Sequence, residues 1–309
     1  NLNTIYTLGQ ADTLAGQVKL VLTSTGSNCA PKTDTLLITI AKSPLVNSGP
    51  DNTVCDNQKI LLNGSVVGLT SSGAWTTFGT GAFTPNDSLL MTYYQPSAID
   101  VANGFVKLVL SSTYNKGCSA ISDTIKLTFK AAPNADFIAN NECAKKPALF
   151  TDNSTTTGTI VAWAWNFGDA GTSSLNSPTH SYLNPGTYTV THVVTSSNGC
   201  KDTIKKPIDI YFLPQAFFYQ NTPCVGNLTQ FVDSSKTLSG SLISWNWNFG
   251  DNSTSGIQNP PHAFSQAQNY TVSLIVTSSF GCKDTIKKTV TVIPGPIGAF
   301  SINPNPLEA

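Results

Sequence analysis

The sequence predicts an all-β chain of tandem immunoglobulin-like β-sandwich domains arranged end to end, and three observations carry that prediction. The first is internal repetition: AWAWNFGD at 162–169 returns as SWNWNFGD at 244–251, and SSNGCKDTIKK ending at Lys206 returns as SSFGCKDTIKK ending at Lys288, each 82 residues on. The second is period: VKLVLSS, IKLTFK, YTVTHVVTS and YTVSLIVTS alternate apolar and polar residues, as half-buried antiparallel strands require. The third is composition, since 40% hydrophobic residues set among abundant Ser, Thr, Asn, Gly and Pro favour short strands and frequent turns over amphipathic helices.

The elements follow in chain order. A looser repeat covers the front, where GQVKLVLTSTGSNCAPKTDTLLITI from Gly16 resembles GFVKLVLSSTYNKGCSAISDTIKLTF from Gly104 at an offset of 88 or 89 residues. Pro-bearing junctions fall near Lys42–Pro44, Ala131–Pro133, Phe212–Pro214 and Ile293–Pro296. They divide the chain into residues 1–42, the C-terminal half of an Ig-like repeat; 43–131, an Ig-like repeat; 132–212 and 213–294, two repeats of the second type; and 295–309, the first strand of a further one. Repeats of this size with about seven short strands fit an immunoglobulin-like sandwich. Residues 1–42 alone leave open sheet edges, so they are expected to be disordered or completed by another chain, and the chain reads as a window cut from something longer.

Charge and motifs exclude several functions. The formal net charge is zero and 11% of residues are charged, which leaves no electrostatic footprint for nucleic acid or an anionic membrane. No apolar run approaches the roughly 18 residues that cross a bilayer, and Asn1 opens no signal-like segment. No G-x-S-x-G, H-E-x-x-H, P-loop or dinucleotide fingerprint is present, and the sparse acids that a paired-carboxylate glycosidase would need sit mostly in turns. Of the three histidines, His180 and His262 hold equivalent repeat positions, as a fold requirement does and a unique active site does not, while His192 stands alone in a strand. The expectation is no enzyme and no cofactor.

The seven cysteines form no C-x-x-C pair and have no histidine at metal-ligand spacing, so they read as disulfide partners in an oxidising, extracellular compartment. Each full repeat has one before its second strand (Cys55, Cys143, Cys224) and one after its penultimate strand (Cys118, Cys200, Cys282), and Cys29 is of the second kind. In an immunoglobulin-type sandwich these places lie at opposite poles, separated by roughly 33 Å, whereas a disulfide needs Cα atoms within about 7 Å. Pairing across junctions gives Cys55–Cys200 and Cys143–Cys282, with Cys29, Cys118 and Cys224 awaiting partners in flanking sequence. A kinked first strand leaves the other scheme open: Cys55–Cys118, Cys143–Cys200 and Cys224–Cys282.

At W-x-F-G-D, H-x-Y and G-T-Y-T-V the third repeat resembles the PKD domain family, through Trp165, Phe167, Gly168, Asp169, His180, Tyr182, Gly186 and Tyr188. The fourth matches at Trp247, Phe249, Gly250, Asp251, His262 and Tyr270, with Phe264 in place of the tyrosine and Gln268-Asn269 in place of Gly-Thr. The second repeat, with GPDNTVC and GAWTTFGTGAF, resembles the Ig-like repeats that accompany such domains in giant surface proteins. The combination is similar to Bacteroidota adhesins exported by type IX secretion, gliding-motility adhesins of the SprB type among them.

Physics gives the same residues a structural role. Residues two apart on a strand face one side, so Trp165 with Phe167 and Trp247 with Phe249 fill the inter-sheet core, where Trp163 and Trp245 share their parity, and Tyr188 and Tyr270 join it. Gly168 and Gly250 suit a positive-φ turn whose N–H groups the next Asp accepts. A calcium site would use Asp169 or Asp251 with Asn252 and backbone carbonyls, but no Asp-rich loop accompanies them. Asp-Ser/Thr followed by an aliphatic residue recurs. The resemblance implies O-glycans there, on Thr13, Thr35, Ser88, Thr124, Thr203 and Thr285, whereas a plain reading has DTI open the last strand of each repeat.

The leading expectation is a structural, adhesive stalk or filament of a bacterial cell-surface adhesin. Its partners would be neighbouring repeats, other copies of the chain, and a surface polysaccharide or protein. The alternative is a spacer or polysaccharide-binding accessory module of a secreted hydrolase, against which stands the placement of all five tryptophans in core-like motifs.

Overall fold

Alternating side chains and closely spaced turn residues put most of the chain into short strands, and the computed structural model describes residues 3–26, 29–116, 118–295 and 298. The further strand expected over 295–309 lies outside these residues except at 295 and 298. By its contacts the chain forms two units, one of Asn1–Pro133 with Thr156–Thr159 and Ser196–Lys201, the other of Asn134–Thr155, Ile160–Thr195 and Asp202–Ala309.

In the first unit, Gln17–Thr23 and Thr33–Thr39 make an antiparallel ladder running from Gln17↔Thr39 to Thr23↔Thr33. Val18 is buried, but Val21, Leu22, Leu36 and Leu37 are exposed, so this hairpin has apolar side chains without a facing sheet among the described residues. A short helix, Gln10–Ala15, precedes it, held by the Gly9 N–H donating to Asp12 and stopped by Gly16 at φ 70°. Nothing in the apolar pattern announces this helix, and it places Asp12-Thr13 on a helix rather than a strand.

The rest of that unit is a sandwich. One sheet has the order Asn52–Cys55, Ser122–Lys130, Phe105–Ser112, Gly73–Thr77; opposite it lie Leu45–Asn47 with Ser65–Val67, and Ile60–Asn63 with Met91–Gln95 and Ala82–Thr84. Asn52–Cys55 runs parallel to its neighbour and the other pairs are antiparallel. Trp75, Tyr94, Leu108 and Leu110 are fully buried between the sheets, and FVKLVLSS alternates as its period requires.

The second unit holds two sandwiches of one plan. In the first, Phe137–Ala139, Pro147–Asp152 and Thr179–Ser181 face a sheet ordered Glu142–Cys143, Lys201–Tyr211, Gly186–Ser196, Ile160–Asn166, Thr172–Ser173. In the second, Phe218–Gln220, Leu228–Asp233 and Pro261–Ala263 face Thr254–Ser255, Leu242–Asn248, Asn269–Ser278 and Lys283–Thr291. Trp165 and Phe167 sit in one core with Phe137, Phe150 and Tyr182; Trp247 and Phe249 sit in the other with Phe218, Phe231 and Phe264. Each buried indole N–H finds a carbonyl, Trp165 at Leu175 (2.8 Å) and Trp247 at Ile257 (2.9 Å), so neither leaves an orphan donor.

Two expected core residues differ in degree. Tyr188 is only half-buried while Tyr270 is buried, although each phenol turns back to donate to a carbonyl four residues upstream, Asn184 or Gln266. Trp163 and Trp245 keep the parity of their neighbours but are half-buried. Their indole N–H groups donate to Asp152 and Asp233, each at 2.7 Å, which holds the rings at the sheet margin.

Candidate functional site: disulfide staples and histidine-capped turns

The hairpin that ends each repeat fixes where its cysteine can reach. At Ser196–Cys200 the chain reverses through Asn198 and Gly199 (φ 87°), with the Ser196 N–H donating to the Cys200 carbonyl, so Cys200 opens the returning strand at the hairpin tip. In the first unit that cysteine is bonded to Cys55, at a Cα separation of 5.7 Å. Cys55 closes the Asn52–Cys55 strand opposite Lys130. Around the bond, Asn57 donates to the Lys201 carbonyl (2.9 Å) and Asn198 to the Ala131 carbonyl (2.8 Å).

The second unit repeats the arrangement with different chemistry. Cys143, paired with Tyr211, is bonded to Cys282 at a Cα separation of 5.6 Å. Phe280 stands where the preceding hairpin has Asn198, and its ring stacks on Tyr211 at 3.9 Å between centroids. An amide-to-carbonyl contact at one staple is thus replaced by an aromatic stack at the other. Both bonds join the opening turn of one sequence repeat to the last hairpin of the next. Cys29, Cys118 and Cys224 carry no bond among the described residues.

The FGD turns are built alike in both PKD-type repeats. Gly168 (φ 86°) and Gly250 (φ 82°) take the left-handed region, and a Cβ there would come within 2.8 Å of the Thr189 or Thr271 carbonyl. Asp169 accepts the Gly171 N–H and pairs with His180 Nε2 at 2.8 Å; Asp251 accepts the Ser253 N–H and pairs with His262 Nε2 at 2.7 Å. Each imidazole lies flat on the phenylalanine of its motif, at 4.2 Å for Phe167 and 4.0 Å for Phe249. Burial alone would raise the Asp169 carboxyl, but bonds to His180 and Gly171 outweigh it and hold the group below its ordinary range; Asp251 behaves alike with Ser253 and His262. The oxygens that a cation would need are engaged by these donors, and no cluster of three or more metal-ligating side chains occurs among the described residues.

A buried pair that the sequence reading left apart lies in the third repeat. His192 is fully buried, stacks on Trp165 at 3.7 Å, and places Nε2 3.1 Å from Asp152, forty residues away. Its Nδ1 has no partner. Burial pushes this imidazole below its ordinary pKa, opposed by Asp152.

The recurrent Asp-Thr also acquires a role. Asp123 accepts the Ser48 N–H and hydroxyl (both 2.9 Å), Asp202 the Ala135 N–H (2.8 Å), and Asp284 the Ala216 N–H (2.8 Å). Each carboxylate therefore ties the last strand of its repeat to the segment that opens it. Recurrence was the signal, but the partner, at least 67 residues upstream, is visible only in the fold. The side chains of Thr13, Thr35, Ser88, Thr124, Thr203 and Thr285 belong to exposed residues.

The family described as PKD domain matches residues 130–210 and 214–293, just over half of the chain. A microbial collagenase of Vibrio alginolyticus is 35% identical over 112 residues, 33% of this chain and 14% of that protein. Collagenase ColQ1 of Bacillus cereus is 38% identical over 77 residues, 25% of this chain and 8% of that protein. Among solved structures, the PKD1 domain of the Vibrio cholerae metalloprotease PrtV is 35% identical, with 26% of this chain and 96% of that one covered and a TM-score of 0.24. The chain thus spans no more than 14% of the length of these curated relatives.

Proposed function

Because the chain belongs to the PKD domain family, we propose that it is a non-catalytic accessory module of an extracellular hydrolase, a spacer made of stapled sandwiches. The observation that carries this reading is the pair of disulfides, each tying the opening turn of one repeat to the hairpin of the next. Such a bond restrains bending where the chain alone would act as a hinge, and it persists only in an oxidising compartment. The relatives named as collagenases and a metalloprotease favour the hydrolase setting over other extracellular ones. In this reading residues 43–131, 132–212 and 213–294 are separate sandwiches in series, with boundaries at the Pro-bearing junctions.

A second reading, the stalk of a cell-surface adhesin of the Bacteroidota type IX kind, is favoured by the sandwich over residues 43–131, all but the last two residues of which lie outside the family match. In that setting the six exposed Asp-Ser/Thr hydroxyls would carry O-glycans, readable as added hexose mass on native material.

The spacer reading is tested with two dyes placed through non-canonical residues at exposed Leu183 and Leu238, one in each repeat of the second unit. It expects a narrow distance distribution that broadens on reduction, and no release of product from gelatin or casein by the chain alone. A distribution already broad in the oxidised protein contradicts the spacer, and hydrolysis contradicts the non-catalytic assignment.

A further inference from the structure

The second repeat carries a surface groove that neither the core nor the staples use. It has a volume of about 810 Å³ and is lined by Phe78, Asn103, Phe105, Lys107 and Thr124, with Gly79, Asp100 and Val106 at its floor. Phe78 follows the strand of Trp75 at the opposite parity, and 80% of its surface is exposed. An aromatic ring left in water forgoes the burial that would stabilise the fold. Its backbone is nevertheless fixed: the Phe78 N–H donates to the Lys107 carbonyl, Gly79 N–H to Thr77, and Thr80 N–H to the buried carboxylate of Asp100. The remaining Asp100 oxygen is taken by Tyr94 and the Ser97 N–H, so this acid is held rigidly with both oxygens engaged by neutral donors.

Lys107 lines the groove, and Lys126 stands beside it on the neighbouring strand. Lys107 and Lys126 are direct cross-strand partners, an arrangement of like charges that weakens an antiparallel pair. Lys126 Nζ lies 4.8 Å from the centre of the Phe105 ring, which is 44% exposed. Among the described residues neither lysine has an acidic partner at ion-pair distance. Two exposed aromatic rings beside two lysines without an acidic partner suit a ligand that combines apolar C–H faces with carboxylates. Phe105–Ser112 and Ser122–Lys130 are the inner strands of their sheet, so their backbone is already paired and offers nothing to align an extended peptide.

We infer that this groove binds a carboxylate-bearing polysaccharide, sugar faces stacking on Phe78 and Phe105 and carboxylates pairing with Lys107 and Lys126. The site goes beyond the spacer reading, which stands or falls separately.

The test is affinity electrophoresis of the full chain through polygalacturonate, with fully methyl-esterified pectin and polyglutamate as comparison polymers. Polygalacturonate is expected to retard the chain and the other two to leave it unaffected. Lys107→Ser with Lys126→Ser is expected to weaken retention about tenfold, and Phe78→Ala about fivefold, with near-UV circular dichroism unchanged because none of the three belongs to the buried core. Absence of retardation, or retardation indifferent to the lysines, overturns the proposal. Sensitivity to the lysines without sensitivity to Phe78 also overturns it, as that marks unspecific charge attraction. Equal binding of the methyl ester removes the carboxylate, and equal binding of polyglutamate assigns the groove to acidic peptides instead.

Discussion

Replacing His192 with leucine isolates the one buried imidazole of the third repeat. The fourth repeat supplies the template, since Leu274 holds the equivalent position, 82 residues on, fully buried against Trp247 as His192 is against Trp165. The folded-state pKa of His192 lies below its unfolded value of about 6.5, so the unfolded chain binds a proton that the fold refuses. Stability is therefore full above that value and is lost as pH falls from there toward the folded pKa. Between pH 7.5 and 5.5 the loss attributable to this residue reaches at most about 1.4 kcal/mol, the free energy of one pKa unit across the window. The lowered carboxylates, Asp136, Asp152, Asp169, Asp233 and Asp251, titrate below their ordinary range and leave this window clean. Urea unfolding of the wild type and His192→Leu at both pH values reads the difference directly. The variant should gain on the wild type by up to that amount at pH 5.5. Parallel pH profiles for the two proteins would refute the assignment of a neutral buried imidazole.

Further expectations concern the turns, the cores and the staples. Gly250→Ala forces a Cβ within 2.8 Å of the Thr271 carbonyl at φ 82°, and should lower unfolding stability by about 1–3 kcal/mol in chemical denaturation, with Gly168→Ala alike. Trp247→Ala, which empties a core and orphans the Ile257 carbonyl, should cost about 3–5 kcal/mol by the same measurement, against about 1–3 for Trp247→Phe. Cys143→Ser with Cys282→Ser frees a separation of 139 residues and should cost about 5 kcal/mol of unfolded-state restraint, seen as a lower urea midpoint that reductant moves further only through the remaining Cys55–Cys200 bond.

Much of this architecture is legible in the residues because repetition and parity are local properties. The 82-residue offset locates the two PKD-type repeats, and the two-residue spacing of Trp165 and Phe167 places both rings in one core. Parity alone does not measure depth, however. Trp163 shares it and is still half-buried, because Asp152 holds its indole nitrogen at the sheet margin. What stays hidden depends on partners distant in sequence. The His192–Asp152 pair spans forty residues, and the Asp-Thr motifs at Asp123, Asp202 and Asp284, explained in sequence by strand propensity or glycans, bind main-chain N–H groups at the opposite end of their repeats. The Gln10–Ala15 helix is too short to impose an apolar period, so composition gives no warning of it. GAWTTF puts Trp75 and Phe78 on opposite faces, so the exposure of Phe78 follows from parity alone.

Disulfides bind successive repeats to one another rather than closing each on itself. Non-reducing peptide mapping of the native protein reads that connectivity, and peptides linked through Cys55–Cys200 and Cys143–Cys282 are expected. Recovery of Cys55–Cys118, Cys143–Cys200 and Cys224–Cys282 would contradict it and leave the repeats as independent beads.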